Sequence, residues 1–301
     1  MPNIQSRKFC CNTLNSFITQ ETNFEYEIII GDDCSDDGTV EILKDFESKN
    51  KNIHVLFRKK KIGARSNWIE TLSYCKGRYI SYCDGDDFFT TPQRLQIFYN
   101  YMESNPSLFM SFGPAYRMHN DRVVSVRNKY KSSEIVKINL EWILKKGGGF
   151  YPTSSSFFKA NLFLDKPEWF FMHATGDYPL AILAYLRGGL GYVNHITVCY
   201  RVHGNSMTNS VNSDSELCKE INTRKWLKNK IFFDLLHSNG IVNKRLKNTL
   251  IAKGDYIYYV KLANCGLFTD AFKGVYRIRH SLFYKTRLVV KILHILFKKS
   301  V

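Results

Sequence analysis

Asp84-Gly85-Asp86-Asp87 carries the clearest chemical signal in the chain. It follows the largely apolar run Arg78-Tyr79-Ile80-Ser81-Tyr82-Cys83, which reads as a strand. Carboxylates two residues apart at a strand end can reach one hard cation together. Mn2+ or Mg2+ prefers oxygen ligands and bridges readily to a diphosphate. There it neutralises charge on a departing nucleoside diphosphate, a Lewis-acid role. Standing alone, an Asp-x-Asp pattern is short and common, and its ordinary reading is a solvated acidic loop.

The elements around it make it more than that. Tyr26–Gly31 is short, apolar and β-branched, and runs into the polar turn Asp32-Asp33-Cys34-Ser35-Asp36-Asp37-Gly38. Thr39–Asn50 then reads as a helix, Ile53–Phe57 as a strand, Ser66–Cys75 as a helix and Arg78–Cys83 as a strand. Pro92 suits the first turn of a further helix running to about Glu103, and Leu108–Phe112 reads as another strand. Strands alternating with helices predict parallel βαβ units in an α/β sheet. Ligands in such sheets bind beyond the carboxyl ends of the strands, where both acidic clusters fall.

Further segments recur in a fixed order. Lys61-Ile62-Gly63-Ala64-Arg65-Ser66-Asn67 lies between the two acidic turns. Pro152–Ser156, Gly176-Asp177-Tyr178-Pro179-Leu180 and Tyr200-Arg201-Val202-His203-Gly204 follow. This ordered set, over about residues 8–210, resembles the family 2 glycosyltransferases. The resemblance implies a GT-A-type, Rossmann-like and mostly parallel sheet flanked by helices, with a C-terminal helical extension. It divides the chain into a nucleotide-sugar-binding half (1–115), an acceptor-binding half (116–210) and a basic helical region (211–301).

The resemblance also implies roles. Asp33 hydrogen-bonds the donor base, with Asp32 beside it, and Arg65 and Asn67 line the donor side. Asp84 contacts the donor ribose or sugar. Asp86 coordinates Mn2+ or Mg2+ on the diphosphate, with Asp87 next to it and His203 close by. Arg201 steadies the phosphates. Asp177 takes the position of the carboxylate that deprotonates the acceptor hydroxyl. One base, one metal site and one displacement mean inversion at the anomeric centre. The implied enzyme is a metal-dependent hexosyl- or N-acetylhexosaminyltransferase. It uses a nucleotide-sugar donor, UDP-linked by preference, and a glycan or lipid-linked acceptor of surface polysaccharide synthesis.

Simpler readings compete residue by residue. Asp177 at a helix start also serves as a cap. His203 alone is as often an ordinary packed histidine. Thr153, Ser154 and Ser155 could donate to an acceptor or simply form a polar strand. Trp169, Phe170 and Phe171 read as core rather than a sugar platform.

The chain has 301 residues, 44% of them apolar, which excludes wholesale disorder. A net charge of +16 favours anionic partners. Nucleic acid is not expected, since no recognition motif accompanies the charge and acid lines the expected ligand face. A nucleotidyltransferase would want a Gly-rich phosphate loop, and none is visible. Residues 211–301 hold 18 Lys+Arg against 6 Asp+Glu, and no acid follows Asp270. Arg287, Lys291, His294 and Lys298 form one stripe on the last helix, with apolar residues over the rest, a pattern suited to an anionic membrane surface. Packing of that apolar face onto the protein is the alternative.

The eight cysteines show no repeated spacing and no CxxC pair, which reads as reduced thiols in the cytosol. Met1–Phe9 is polar, without a signal-peptide core, and no transmembrane helix is expected. The expected location is cytoplasmic and peripheral at the inner face of the plasma membrane. One departure stands out: the family's opening strand is not seen before the first helix, expected at about Lys8–Gln20. This points to an upstream start or a truncated frame, and the alternative to an active enzyme is an impaired relative that binds nucleotide or partner proteins.

Overall fold

The computed structural model describes residues 4–127, 138–203, 215–278 and 281–299. Gly204, the end of the Tyr-Arg-Val-His-Gly motif, lies outside them. The chain divides into two compact units, Met1–Asp165 with Leu180–His203, and Lys166–Pro179 with Gly204–Val301.

The first unit opens with α1 (Ile4–Ile18), followed in alternation by β1 (Ile28–Asp32), α2 (Thr39–Lys49), β2 (Ile53–Phe57), α3 (Ala64–Leu72) and β3 (Tyr79–Ser81). Then come β4 (Phe88–Phe89), α4 (Arg94–Ser104), β5 (Met110–Phe112), β6 (Ala115–His119) and β7 (Arg122–Arg127). α5 (Leu140–Lys146) leads through a 3-10 turn at Thr153–Ser155 to β8 (Phe157–Lys159) and a second 3-10 turn at Ala160–Phe163. α6 (Glu168–Met172) belongs to the second unit, as do the first three residues of α7 (Asp177–Arg187). The rest of α7, β9 (Leu190–Tyr192) and β10 (Val198–Arg201) return to the first.

Helices do flank sheets, but the pairing is mixed rather than mostly parallel. β1–β2, β5–β9 and β6–β10 are parallel, whereas β3–β8, β5–β8, β4–β10 and β6–β7 are antiparallel. The strands form three small sheets instead of one: β1–β2, β3–β8–β5–β9 and β4–β10–β6–β7. β8 enters from the turn at Pro152–Ser156 and so runs against both of its neighbours. Among the described residues β1 pairs with β2 alone.

The local reasons are visible in the residues. Ile28-Ile29-Ile30 is a β-branched run with strong strand preference. α2 starts after Gly38, whose φ of 83° is left-handed, and carries Glu41 in its first turn and Lys49 in its last, which suits the helix dipole. The Glu47 carboxylate accepts the Val55 N–H at 2.7 Å and ties α2 to β2. α3 crosses β1 so closely that a Cβ on Gly31 would meet Thr71 and Asn67. Asn67 uses that proximity and donates its Nδ2 to the Gly31 carbonyl at 2.7 Å. Behind the strands, Phe98, Met102, Met110 and Phe158 are fully buried, and Tyr79 stacks on Phe157 at 5.3 Å.

The second unit contains α8 (Ser215–Ser238), α9 (Lys244–Asn264), α10 (Phe268–Arg277) and α11 (Leu282–Lys299). Asn243 caps α9 by accepting the Leu246 N–H. Tyr259, Leu262, Ala271, Leu288 and Ile292 share one core. Trp226 stacks on Tyr258 at 4.8 Å and donates to the buried Asp255, which also pairs with Lys230. Trp169 and Phe170 are core residues as expected, whereas Phe171 is exposed.

The expectation of reduced thiols throughout is corrected here. Cys218 and Cys265 form a disulfide across 47 residues. Cys218 lies in the first turn of α8 and Cys265 just after α9, so the hairpin of these two helices brings them together. Cys10, Cys11, Cys34, Cys75, Cys83 and Cys199 are free thiols.

Gly274 on α10 is buried, and a Cβ there would strike the Tyr259 ring. Gly274→Ala is therefore expected to lower stability by about 1–3 kcal/mol through overpacking. Chemical denaturation of the two proteins measures the difference, and an unchanged midpoint would show that the helices slide apart without cost.

Candidate functional site

The acidic turn after β3 is built from distant parts of the first unit. The Asp87 N–H closes the turn onto the Asp84 carbonyl at 3.1 Å. The Thr13 hydroxyl of α1 lies 2.6 Å from the Asp87 carbonyl and 3.1 Å from that of Gly85. From β10, Arg201 donates its guanidinium to the Asp86 carbonyl at 2.5 Å and its backbone N–H to Asp87 Oδ1 at 2.9 Å. The same guanidinium lies over the rings of Phe88 and Phe9. Arg201 is thus a buried clasp on the turn, rather than an open phosphate contact.

Asp84, Asp86 and Asp87 face different surroundings. Asp87 is fully buried, and its Oδ2 meets the Ser154 hydroxyl at 2.5 Å. Burial, followed by the charges of Asp84 and Asp86, holds its carboxyl well above the usual range, against the hydrogen bonds from Ser154 and Arg201. Asp84 accepts the Tyr82 hydroxyl at 2.5 Å, and its own N–H reaches Ser154 Oγ at 3.0 Å. Burial and the Asp84 charge push the Tyr82 phenol far up, so it stays a donor.

Asp86 turns the other way, with its Oδ2 2.9 Å from His203 Nε2. The Phe9 ring sits 5.4 Å from the imidazole, and both partners keep some exposure.

The pair offers two donor atoms of the types a divalent ion takes, now hydrogen-bonded to each other. One carboxylate oxygen and one imidazole nitrogen suit a cation that takes its remaining ligands from phosphate and water. No cluster of three ligating side chains occurs among the described residues. Asp87, expected beside Asp86 at the metal, instead points inward, where Ser154 and the Arg201 N–H occupy it.

Arg94 stands behind the turn and is fully buried. Its guanidinium donates to Thr197 Oγ1, Ser81 Oγ and the carbonyls of Ser154 and Ser156, and lies over the rings of Phe89 and Phe98. Burial pulls it down to about 9, which leaves it cationic at neutral pH. It fixes the turn that carries Ser154. Ser154 and Ser155 are buried, so the acceptor contacts considered for them give way to internal ones.

The other acidic turn is held by its own carboxylates. Asp32 is buried and accepts the Ser35 N–H at 3.1 Å. Asp33 accepts the N–H groups of Ile62 and Gly63 at 2.7 and 2.9 Å. Cys34, directly after Asp33, takes a φ of 62°, uncommon for a residue with a Cβ. Asn67 holds Gly31 and receives Arg58 Nε at 3.1 Å. Arg65 lies in the first turn of α3, and burial lowers its pKa. The structure therefore joins Asp33 to the Ile62-Gly63 loop ahead of Arg65 and Asn67. Asp177 is the first residue of α7 and is counted with the second unit.

Thr13, Tyr82 and Arg94 were not singled out from the sequence. The signal for Arg94 was a cation sharing one helical stripe with Phe98 and Met102.

The family profile described as glycosyl transferase family 2 matches residues 1–163, more than half of the chain. The chain belongs to glycosyl transferase family 2. TuaG of Bacillus subtilis, named for teichuronic acid biosynthesis, is 35% identical over 86 residues, covering 29% of this chain and 34% of that protein. The chain spans about a third of the length of such curated relatives. The fold is also similar to that of S. aureus TarS in complex with UDP-GlcNAc, with a TM-score of 0.54 at 17% identity over 88% of this chain and 82% of that one. It is similar as well to the Pyrobaculum calidifontis mannosyltransferase PcManGT in complex with GDP-Man and Mn2+. There the TM-score is 0.54 at 12% identity over 97% of this chain and 78% of that one. These likenesses establish the glycosyltransferase α/β fold with helices after it.

Proposed function

We propose that this chain is an inverting glycosyltransferase that moves a sugar from a nucleotide diphosphate, UDP by preference, to a hydroxyl of a glycan or lipid-linked acceptor. The observation that carries this is the Asp86–His203 pair at the rim of the acidic turn, within a family 2 chain. The UDP-GlcNAc and GDP-Man complexes of TarS and PcManGT support a nucleotide-sugar donor, and PcManGT supports Mn2+. The name of TuaG supports a surface polysaccharide as the product.

In this reading residues 1–115 hold the donor, 116–210 the acceptor, and 211–301 form the basic extension. Asp33 and Asp32 shape the turn that receives the base, and Arg65 and Asn67 border it. Asp86 and His203 would hold Mn2+ or Mg2+, which would supply positive charge to the departing diphosphate. Asp84 meets the donor ribose or sugar. Asp87, Ser154, Arg94 and Arg201 keep the turn in shape. Asp177 takes the proton from the acceptor hydroxyl as its oxygen bonds to the anomeric carbon. The carbon–diphosphate bond breaks in the same displacement, and the configuration inverts. The protein works at the inner face of the plasma membrane as a peripheral enzyme. No helix among the described residues is long and apolar enough to cross a membrane.

A second reading, an impaired relative that binds nucleotide or partner proteins, is favoured by the internal commitments of Asp33 and Asn67. One titration tests the donor site that both readings share: melting temperature against UDP, GDP, CDP and dTDP, with and without Mn2+. A ligand that binds the native state raises it by mass action. A Mn2+-dependent rise with one nucleotide is the expected result, and no rise with any would overturn the donor site.

A further inference from the structure

α10 and α11 each bury one face and leave the other in an unusual state. α10 buries Ala271 and Gly274, with Ile278 buried just after it, and α11 buries Leu288, Ile292 and Ile295. These residues meet the core of the second unit. The packing alternative for the apolar residues of α11 therefore holds for only part of them. Leu282, Phe283 and Val290 stay 79%, 59% and 62% exposed, and Tyr276 near the end of α10 is 86% exposed.

Basic residues run beside these apolar ones. On α10, Phe272 and Tyr276 are one turn apart and exposed, and Arg277 follows Tyr276, whereas Lys273 is paired with Asp270 of the same helix at 3.1 Å. On α11, Phe283 and Val290 lie two turns apart on the outer side. Arg287, Lys291 and His294 are exposed on the adjoining strip. The Arg287 guanidinium leans over the Phe283 ring at 5.2 Å. α11 thus presents an apolar ridge next to a cationic one, and α10 adds the exposed Phe272 and Tyr276. Residues 282–301 contain five Lys+Arg and no acid. A protein partner with an apolar patch would satisfy the first ridge only. A bilayer with anionic headgroups satisfies both, since the apolar ridge enters the acyl boundary while the cations stay at headgroup level.

We infer that the outer faces of α10 and α11 form a membrane-docking surface for anionic phospholipid. This deepens the peripheral-membrane part of the proposed function and is independent of the sugar chemistry.

The test is co-sedimentation of the full chain with vesicles of phosphatidylglycerol and phosphatidylcholine in equal parts, against phosphatidylcholine alone. Binding is expected to be at least tenfold stronger to the anionic vesicles and to weaken with salt. Phe283→Asp with Val290→Asp, and separately Arg287→Glu with Lys291→Glu, should each lower it at least tenfold. These side chains are exposed, so melting temperatures should match the parent. Equal partition to both vesicles, or undiminished binding of both double variants, would overturn the proposal. So would a dimer that the variants dissociate while vesicle binding persists. The nucleotide titration without vesicles reports on the donor site alone, so the two readings fail separately.

Discussion

Asp86→Ala is expected to abolish the Mn2+-dependent rise in melting temperature with the donor nucleotide. The Asp86 side chain meets His203, whereas its carbonyl is what Arg201 holds. Truncation therefore removes one of two proposed ligands and leaves the clasp on the turn intact. With a single imidazole remaining, affinity for the nucleotide–metal pair should fall by roughly a hundredfold or more, since even outer-shell changes at metal sites cost about 10–100-fold. The melting temperature without ligand should stay close to that of the parent. Undiminished binding would remove Asp86 from the metal site. Asp87→Ala would be a poor substitute for this experiment. It strips a buried carboxylate from Ser154 and from the Arg201 N–H, so lost binding would not distinguish a missing ligand from a collapsed turn.

Asp177→Asn is expected to divide binding from transfer. The amide keeps the shape and the acceptor oxygen of the carboxylate but cannot take a proton from the acceptor. Positioned general-base catalysis contributes roughly 100- to 10,000-fold, and the transfer rate should fall by that order. The nucleotide-dependent shift should be the same as in the parent. Full transfer by the variant would assign Asp177 to capping the first turn of α7. A lost nucleotide shift would place it in the donor site instead.

The sequence showed the two acidic turns and the elements leading into them, because a β-branched run followed by Asp and Gly is a local signal. The strand at Ile53–Phe57 appears with the expected bounds, and α2 ends one residue early, at Lys49. What distinguishes Asp87 from Asp86 was not local. The two residues are adjacent and identical in type. One turns inward because Ser154, 67 residues away, and the Arg201 N–H, 114 residues away, receive it. The disulfide was hidden for the same reason, since only the α8–α9 hairpin makes neighbours of Cys218 and Cys265. The division of the sheet was also illegible, because hydrophobic pattern identifies strands without naming their partners. On the last helix, pattern identified the apolar residues but not which of them would be covered.

The two-strand sheet has a thermodynamic consequence for the site. An isolated pair of strands is marginally stable by itself. Among the described residues β1 pairs with β2 alone, and α2, α3 and the Asn67 clasp support it. The turn at Asp32–Ser35 is therefore expected to open at lower free energy than the better-stitched acidic turn. The turn at Asp84–Asp87 is stitched to α1, β10 and the Ser154 turn, and is expected to open later. A bound base would protect the loose side far more than the tight one. In amide hydrogen exchange, donor binding would then register mainly at β1 and the Ile62-Gly63 loop, with the acidic turn already slow before any ligand arrives.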